Sequence, residues 1–184
     1  MLVLLVTGVP AAGKSTVAHK LSDWGHTSIS LDDDNSTCSW PYFDGPQDTQ
    51  PGRQDNSSSP PPLRRTWNPY RLEEIISTAR HDGVQTLWLC GQATNAPELK
   101  DRFDACLLLE IDQTTMRRRL TAIEQNGGVC RANDSLATAM ASYQAFVATW
   151  RRLGAVPVDG TQDPDQVCQD LLMAAAFAAL GRHR

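Results

Sequence analysis

The chain has 184 residues, enough for one domain spanning residues 1–184 with a core of its own. Its net charge of −4 gives no general attraction to nucleic acid or membrane, and no apolar run is long enough to cross a bilayer. Five cysteines, Cys38, Cys90, Cys106, Cys130 and Cys168, leave an odd one and form no CxxC pair, and His19, His26, His81 and His183 have no ligand spacing. Disulfide scaffolds and zinc modules are thereby disfavoured, and the cytoplasm is the expected compartment.

In chain order, an apolar strand at Leu2–Val6 leads into Gly8-Val9-Pro10-Ala11-Ala12-Gly13-Lys14-Ser15-Thr16, a GxxxxGK[ST] phosphate loop. A helical pattern follows at Val17, Ala18 and Leu21. Gly8 and Gly13 let the backbone curl so that successive amides face inward, and the helix adds the positive end of its dipole. On this reading Lys14 reaches the β- and γ-phosphates and the Ser15 hydroxyl ligates Mg²⁺, with Thr16 as a second ligand candidate. A second strand, His26–Leu31, runs into Asp32-Asp33-Asp34. Three adjacent carboxylates repel one another if buried together, so at least one faces water, a cation or a substrate proton. Asp32 and its neighbours are candidates to accept a proton from a hydroxyl beside the γ-phosphate or to hold Mg²⁺; the plain alternative is a set of turn caps.

Residues 35–66 are irregular and rich in Pro, Ser, Gln and Asp, a composition that buries too little apolar surface to order itself. Trp40, Tyr42 and Phe43 are either stacking surfaces for a planar substrate or aromatics folded onto the core. Order is expected again at Trp67-Asn68-Pro69, where Asn68 and Pro69 suit N-cap and N1 of a helix with Leu72, Ile75, Ile76 and Ala79 on one face. Trp67 either lies near the substrate or staples the helix start, while Arg64, Arg65 and Arg71 are candidates to meet a substrate phosphate. Val84–Leu89 reads as the third strand and ends without the acid of many Mg²⁺-binding strands. Ala105–Ile111 is the fourth, followed by a helix capped by Asp112, with Met116, Leu120 and Ile123 inward and Arg117, Arg118 and Arg119 around it. Gly127-Gly128 gives hinge freedom to residues 125–134. Leu136, Met140, Tyr143, Val147 and Trp150 form a core stripe, Ala155–Val158 is the fifth strand, and Asp163-Pro164 opens a closing helix.

The pairing of GxPxxGKST with an acidic cluster after the second strand resembles the P-loop small-molecule and nucleotide kinases, the group of adenylate, shikimate, gluconate and nucleoside kinases. The resemblance implies an α/β P-loop NTPase fold with a five-stranded parallel sheet, order 2-3-1-4-5, helices on both faces and a short lid at 125–134. It implies ATP and Mg²⁺ as cofactors and a small-molecule acceptor as partner; polynucleotide 5′-kinases share the Asp-Asp strand end, but the acidic charge and the lack of a basic stripe disfavour a nucleic-acid acceptor. Its implied catalytic set is Lys14, Asp32 and Asp34, with Arg119 and Arg131 closing over the transferred phosphoryl group. Gly8, Pro10, Ala11, Ala12, Gly13, Lys14, Ser15 and Thr16 are implied to hold the nucleotide, with Gly160, Thr161 and Gln162 at the base. Asp32, Asp33, Tyr42, Trp67, Gln92 and Asn95 are implied to meet the acceptor, though Asn95 equally suits a cap for the short helix begun by Pro97. Ser15 and Asp32 are the metal candidates. One departure is that Ile123 stands where such kinases carry a second arginine. The leading expectation is transfer of the γ-phosphate to a hydroxyl of a nucleoside or related metabolite. The alternatives are a nucleoside monophosphate kinase and a nucleotide-binding regulatory module with little or no turnover.

Overall fold

The structure, a computed structural model, describes residues 1–32, 38–39, 65–125 and 136–181. Asp33, Asp34, Trp40, Tyr42, Phe43, Arg64, Cys130, Arg131 and His183, most of the 35–66 insertion, and all of the expected lid beyond Gln125 lie outside the described residues.

Five strands form one parallel sheet: β1 (Leu2–Gly8), β2 (Thr27–Ser30), β5 (Thr86–Cys90), β6 (Ala105–Glu110) and β7 (Val156–Asp159), in the order β2-β5-β1-β6-β7. Counting these strands alone, the order is 2-3-1-4-5, as the resemblance implied. The expected strands fall within a residue or two of the observed ones. The intervening helices are α1 (Lys14–Asp23), α2 (Pro69–His81), α3 (Gln113–Gln125), α4 (Leu136–Arg152) and α5 (Pro164–Gly181), with a 3-10 turn at Ala96–Arg102.

The sheet is buried on both faces, which is why its strands read as continuous apolar runs rather than as alternating ones. Along β1, Leu2, Leu4 and Val6 face α1, α3 and α5 in one core cluster, while Val3 and Leu5 face α2 and Trp150 in the other. Leu4 and Leu5 are both fully buried, and truncating either to Ala is expected to cost about 2–5 kcal/mol. Cys90 and Cys106 behave as the small apolar groups expected of them: burial pushes their thiols up to about 12 and about 11. No helix among the described residues is long and apolar enough to cross a membrane.

Two features depart from the expected pattern. Ile123 is 41% exposed rather than inward; it sits in the last turn of α3, beyond the described residues that cover Met116 and Leu120. Thr66–Trp67, expected only to precede a helix, forms a short strand β4 that pairs antiparallel with β3 (Cys38–Ser39). That ladder joins the two ends of the insertion, so Trp67 enters α2 from a fixed direction. The cap itself is as expected: the Asn68 side chain accepts from Tyr70 N at 2.9 Å and Arg71 N at 3.4 Å, and Pro69 follows it.

Candidate active site

Because all five strands are parallel, the segments after Gly8, Ser30, Cys90, Glu110 and Asp159 leave the sheet at the same edge. In an open α/β sheet this edge is the place for a ligand. The Gly8–Lys14 loop follows β1 there and curls tightly. Ala11 has φ 61° and Gly13 φ 104°, while Ala12 between them keeps the usual sign. Alternation of this kind turns consecutive amides toward one side, making an anion nest. For Ala11 the left-handed conformation costs about 1–2 kcal/mol, so something in the surroundings must hold it. Gly8 has no room for a side chain, since a Cβ there would lie 2.8 Å from the Leu109 carbonyl and 2.9 Å from Ala12 Cβ.

No side chain caps α1, so the first amides of the helix retain their capacity to bind an anion. Lys14, only 8% exposed, folds back over the loop and donates to the carbonyls of Gly8 (3.1 Å) and Val9 (3.2 Å). Its Nζ lies 3.8 Å from Asp32 Oδ2. The Ser15 hydroxyl faces the Ser30 hydroxyl across 3.3 Å, toward the end of β2, whereas Thr16 is exposed on the other side of the helix start.

Asp32 is assembled into the site by three separate segments. Leu31 N donates to the Cys90 carbonyl and Gly91 N to the Val6 carbonyl, which brings the ends of β2, β5 and β1 side by side. Asp32 Oδ1 then accepts from Gln92 N at 2.9 Å and from Arg65 Nη1 at 2.7 Å. Its other oxygen, Oδ2, is the one turned toward Lys14. The spacing is tight at Gly91, where a Cβ would lie 3.0 Å from Asp32 Oδ1, from Leu31 Cβ and from Trp67 Cζ2, so that any side chain there would press on all three.

The other residues that the resemblance implied for the acceptor have these surroundings. Trp67 is buried (1% exposed), and its ring lies beside Gly91. The Asn95 side chain accepts from Trp67 N and donates to the Trp67 carbonyl, both at 2.9 Å, like one more rung on β4. Asn95 occupies the N-cap position of the 3-10 turn, but its side chain does not cap it. Gln92 meets Asp32 through its main chain. Arg71 pairs with Glu74 one turn along α2 at 2.8 Å.

Arg119, the expected phosphate ligand of α3, is half-buried and directed at main-chain oxygens. Its Nη1 donates to the carbonyls of Ala11 (3.2 Å) and Ala12 (3.4 Å), and its Nη2 to the carbonyl of Gly160 (3.0 Å). Burial, and then the neighbouring Arg118, pull its pKa below that of an exposed arginine. Arg117 and Arg118 are exposed. Gly160 is buried against the loop, and a Cβ on it would lie 3.1 Å from Ile111 Cγ2 and 3.2 Å from the Ala12 carbonyl. Gln162 is exposed and bonds Asp170.

No protein-family model matches the chain, and no curated protein sequence matches it. In three dimensions it is similar to a gluconokinase from Sinorhizobium meliloti 1021, with a TM-score of 0.51 and 14% identity, covering 99% of this chain and 95% of that one. The fold is that of the P-loop kinases. A deoxyadenosine kinase from M. mycoides with bound dATP superposes at a TM-score of 0.47 with 11% identity, covering 94% and 98% of the two chains. Within this P-loop kinase fold, the loop, Asp32 and Gln92 converge at one edge of the sheet. Arg65, Ser30 and Gly91 join them there. Of these three, sequence reasoning had singled out only Arg65, for a substrate phosphate rather than for Asp32. A glycine directly after an apolar strand is the signal that would have found Gly91, because it marks close approach of other chain segments.

Proposed function

We propose that the chain is an ATP-dependent phosphotransferase that passes the γ-phosphate to a hydroxyl of a small molecule, a nucleoside or related metabolite. The observation that carries this reading is the position of Asp32 Oδ2, 3.8 Å from Lys14 Nζ at the mouth of the anion nest, with Oδ1 held by Arg65 and Gln92 N. A carboxylate held beside the lysine that meets the terminal phosphates is placed to take a proton from a hydroxyl acceptor brought there.

The donor fits the residues present. The nest amides and the uncapped start of α1 supply hydrogen bonds to phosphate, and Lys14 is close enough to exchange its two carbonyl partners for phosphate oxygens. Ser15 Oγ and Asp32 are the oxygen donors suited to Mg²⁺. No group of three His, Cys, Asp or Glu among the described residues makes a metal cage, which suits an ion held mainly by substrate phosphates and water. When bound, Mg²⁺ neutralises charge on the β- and γ-phosphate oxygens. In the transfer itself the acceptor oxygen bonds to the γ-phosphorus, the bridging P–O bond breaks with its electron pair left on the β-phosphate, and Asp32 Oδ2 takes the hydroxyl proton. Arg65 and Gln92 N keep the carboxylate from turning away from that proton.

The test is transfer from labelled ATP and Mg²⁺ to a panel of nucleosides, sugars, aminocyclitols and nucleoside monophosphates, with Lys14→Ala as the control. A labelled product with a hydroxyl acceptor, lost in the control, is the expected result. Labelling of the monophosphates alone would move the acceptor atom from a hydroxyl to a phosphate. Tight, Lys14-dependent ATP binding without any product would make the chain a nucleotide-binding module and overturn the reading.

A further inference from the structure

We propose that Arg119 is a positioning residue that braces the phosphate nest from behind and ties it to the turn after β7. This inference rests on the nucleotide-binding part of the proposed function, and not on phosphate transfer. Its basis is the set of atoms that the guanidinium touches. Nη1 bonds the carbonyls of Ala11 and Ala12, the two consecutive residues whose backbone signs alternate to form the nest, and Nη2 bonds Gly160.

Peptide geometry converts those contacts into an effect on the ligand side. In a trans peptide the carbonyl and the following amide point in opposite directions. A guanidinium holding the Ala12 carbonyl on the outside of the loop therefore turns the Gly13 amide to the inside. The bond to the Ala11 carbonyl secures the residue that occupies the left-handed region without being glycine. Three carbonyl contacts at 3.0–3.4 Å, each assisted by the charge of the donor, act together against the cost of that conformation. The opposite anchor is itself fixed: Gly160 N donates to the Glu110 carbonyl at 2.8 Å, and Gly160 packs closely on the loop, a Cβ there lying 3.2 Å from the Ala12 carbonyl. Only a planar fork spans the two loops at once, because an ammonium group is a single point of contact.

The experiment measures binding of Mg-ATP and of inorganic tripolyphosphate to the wild-type chain, Arg119→Met and Arg119→Lys, at low and high salt. Both variants are expected to bind each probe about tenfold or more weakly, by the same factor for the two, since the lost bonds are those of a charged donor. That factor is expected to survive high salt, which screens a direct contact between a cation and phosphate. Ala11→Gly added to Arg119→Lys is expected to restore part of the affinity, because glycine adopts the required φ without a brace. Arg119→Lys keeps the charge and guards against a failure of the Met variant to fold. Loss of ATP affinity with tripolyphosphate unchanged would place Arg119 at the base and overturn the proposal. Full recovery by Lys would reduce the residue to its charge, with the same consequence. If the wild-type chain bound neither probe, the nucleotide reading itself would fall.

Discussion

On the proposed function, the phosphate side of the site is drawn from one continuous stretch, residues 8–16, whereas the acceptor side is gathered from Asp32, from Arg65 to Trp67 and from Gly91 to Asn95. On the phosphate side most of the conformation is local, set by a glycine at φ 104°, a tight turn and a helix start, and distant chain enters where Arg119 holds the Ala11 and Ala12 carbonyls. On the acceptor side no residue is in place until three strand ends have aligned. Removing a rung there displaces its neighbours, so chemistry and stability are coupled through the same contacts. The phosphate side meets distant chain at Arg119 and Gly160, and the acceptor side consists of little else.

That contrast is most directly tested by comparing Asp32→Asn with Lys14→Ala. Asparagine keeps the shape of Asp32 but loses the base, so kcat is expected to fall by about 10²–10⁴ with ATP affinity unchanged. Lys14→Ala is expected to lower kcat/KM by roughly 10²–10³ and to weaken ATP binding as well. Equal loss of ATP binding in both variants, measured by titration calorimetry, would mean that the two sides do not divide the work in this way.

Gly91→Ala probes how tightly the acceptor side is packed. Its methyl group would press on Asp32, Leu31 and Trp67 at 3.0 Å. We expect a stability loss of about 1–3 kcal/mol in urea unfolding and a roughly ten- to hundredfold lower kcat, as expected for a misplaced catalytic group. An unchanged kcat would show that Asp32 tolerates displacement and is not the base.

Asn95→Ala removes both hydrogen bonds to the Trp67 main chain. The expected loss is about 1–3 kcal/mol of stability, because the partners are left partly buried without water. ATP affinity should not change. A drop in ATP affinity would join the two sides more closely than the contacts indicate.

The smallest expected effect lies away from both sides, at the start of α3. The Asp112 carboxylate accepts from Thr115 N and Oγ1, both at 2.8 Å, and these bonds hold its pKa below the ordinary value. Its contribution is therefore fully present above the unfolded carboxylate range near pH ~4 and is lost as pH falls through the depressed folded value. In melts taken across that acidic window, Asp112→Asn should flatten part of the pH dependence. A steeper dependence in the variant would contradict the cap.

The elements whose cause is local were legible from the residues. The phosphate loop, the Asn68-Pro69 helix start and the apolar strands all follow from short-range rules, and they appear where those rules put them. Helical periodicity placed Met116 and Leu120 in the core but also put Ile123 there, because a repeat along one helix carries no information about where its covering neighbours stop. The aspartate was visible as a candidate, yet its partners were not: Gln92 N lies 60 residues away in sequence and is a main-chain group, invisible to any side-chain motif.

The sequence by itself therefore determined the strands, the glycine-bearing phosphate loop and the identity of the groups that can carry charge at its mouth, since loop curl and the apolar character of a strand follow from neighbouring residues. Tertiary structure decided which oxygen of Asp32 is held and which faces Lys14, that Trp67 is buried beside Gly91, and that Arg119 grips carbonyls 107 and 108 residues away. The physical reason is that a side chain's partners depend on which chain ends meet at the edge of the sheet, and that meeting is settled by packing over the whole molecule rather than by any one segment.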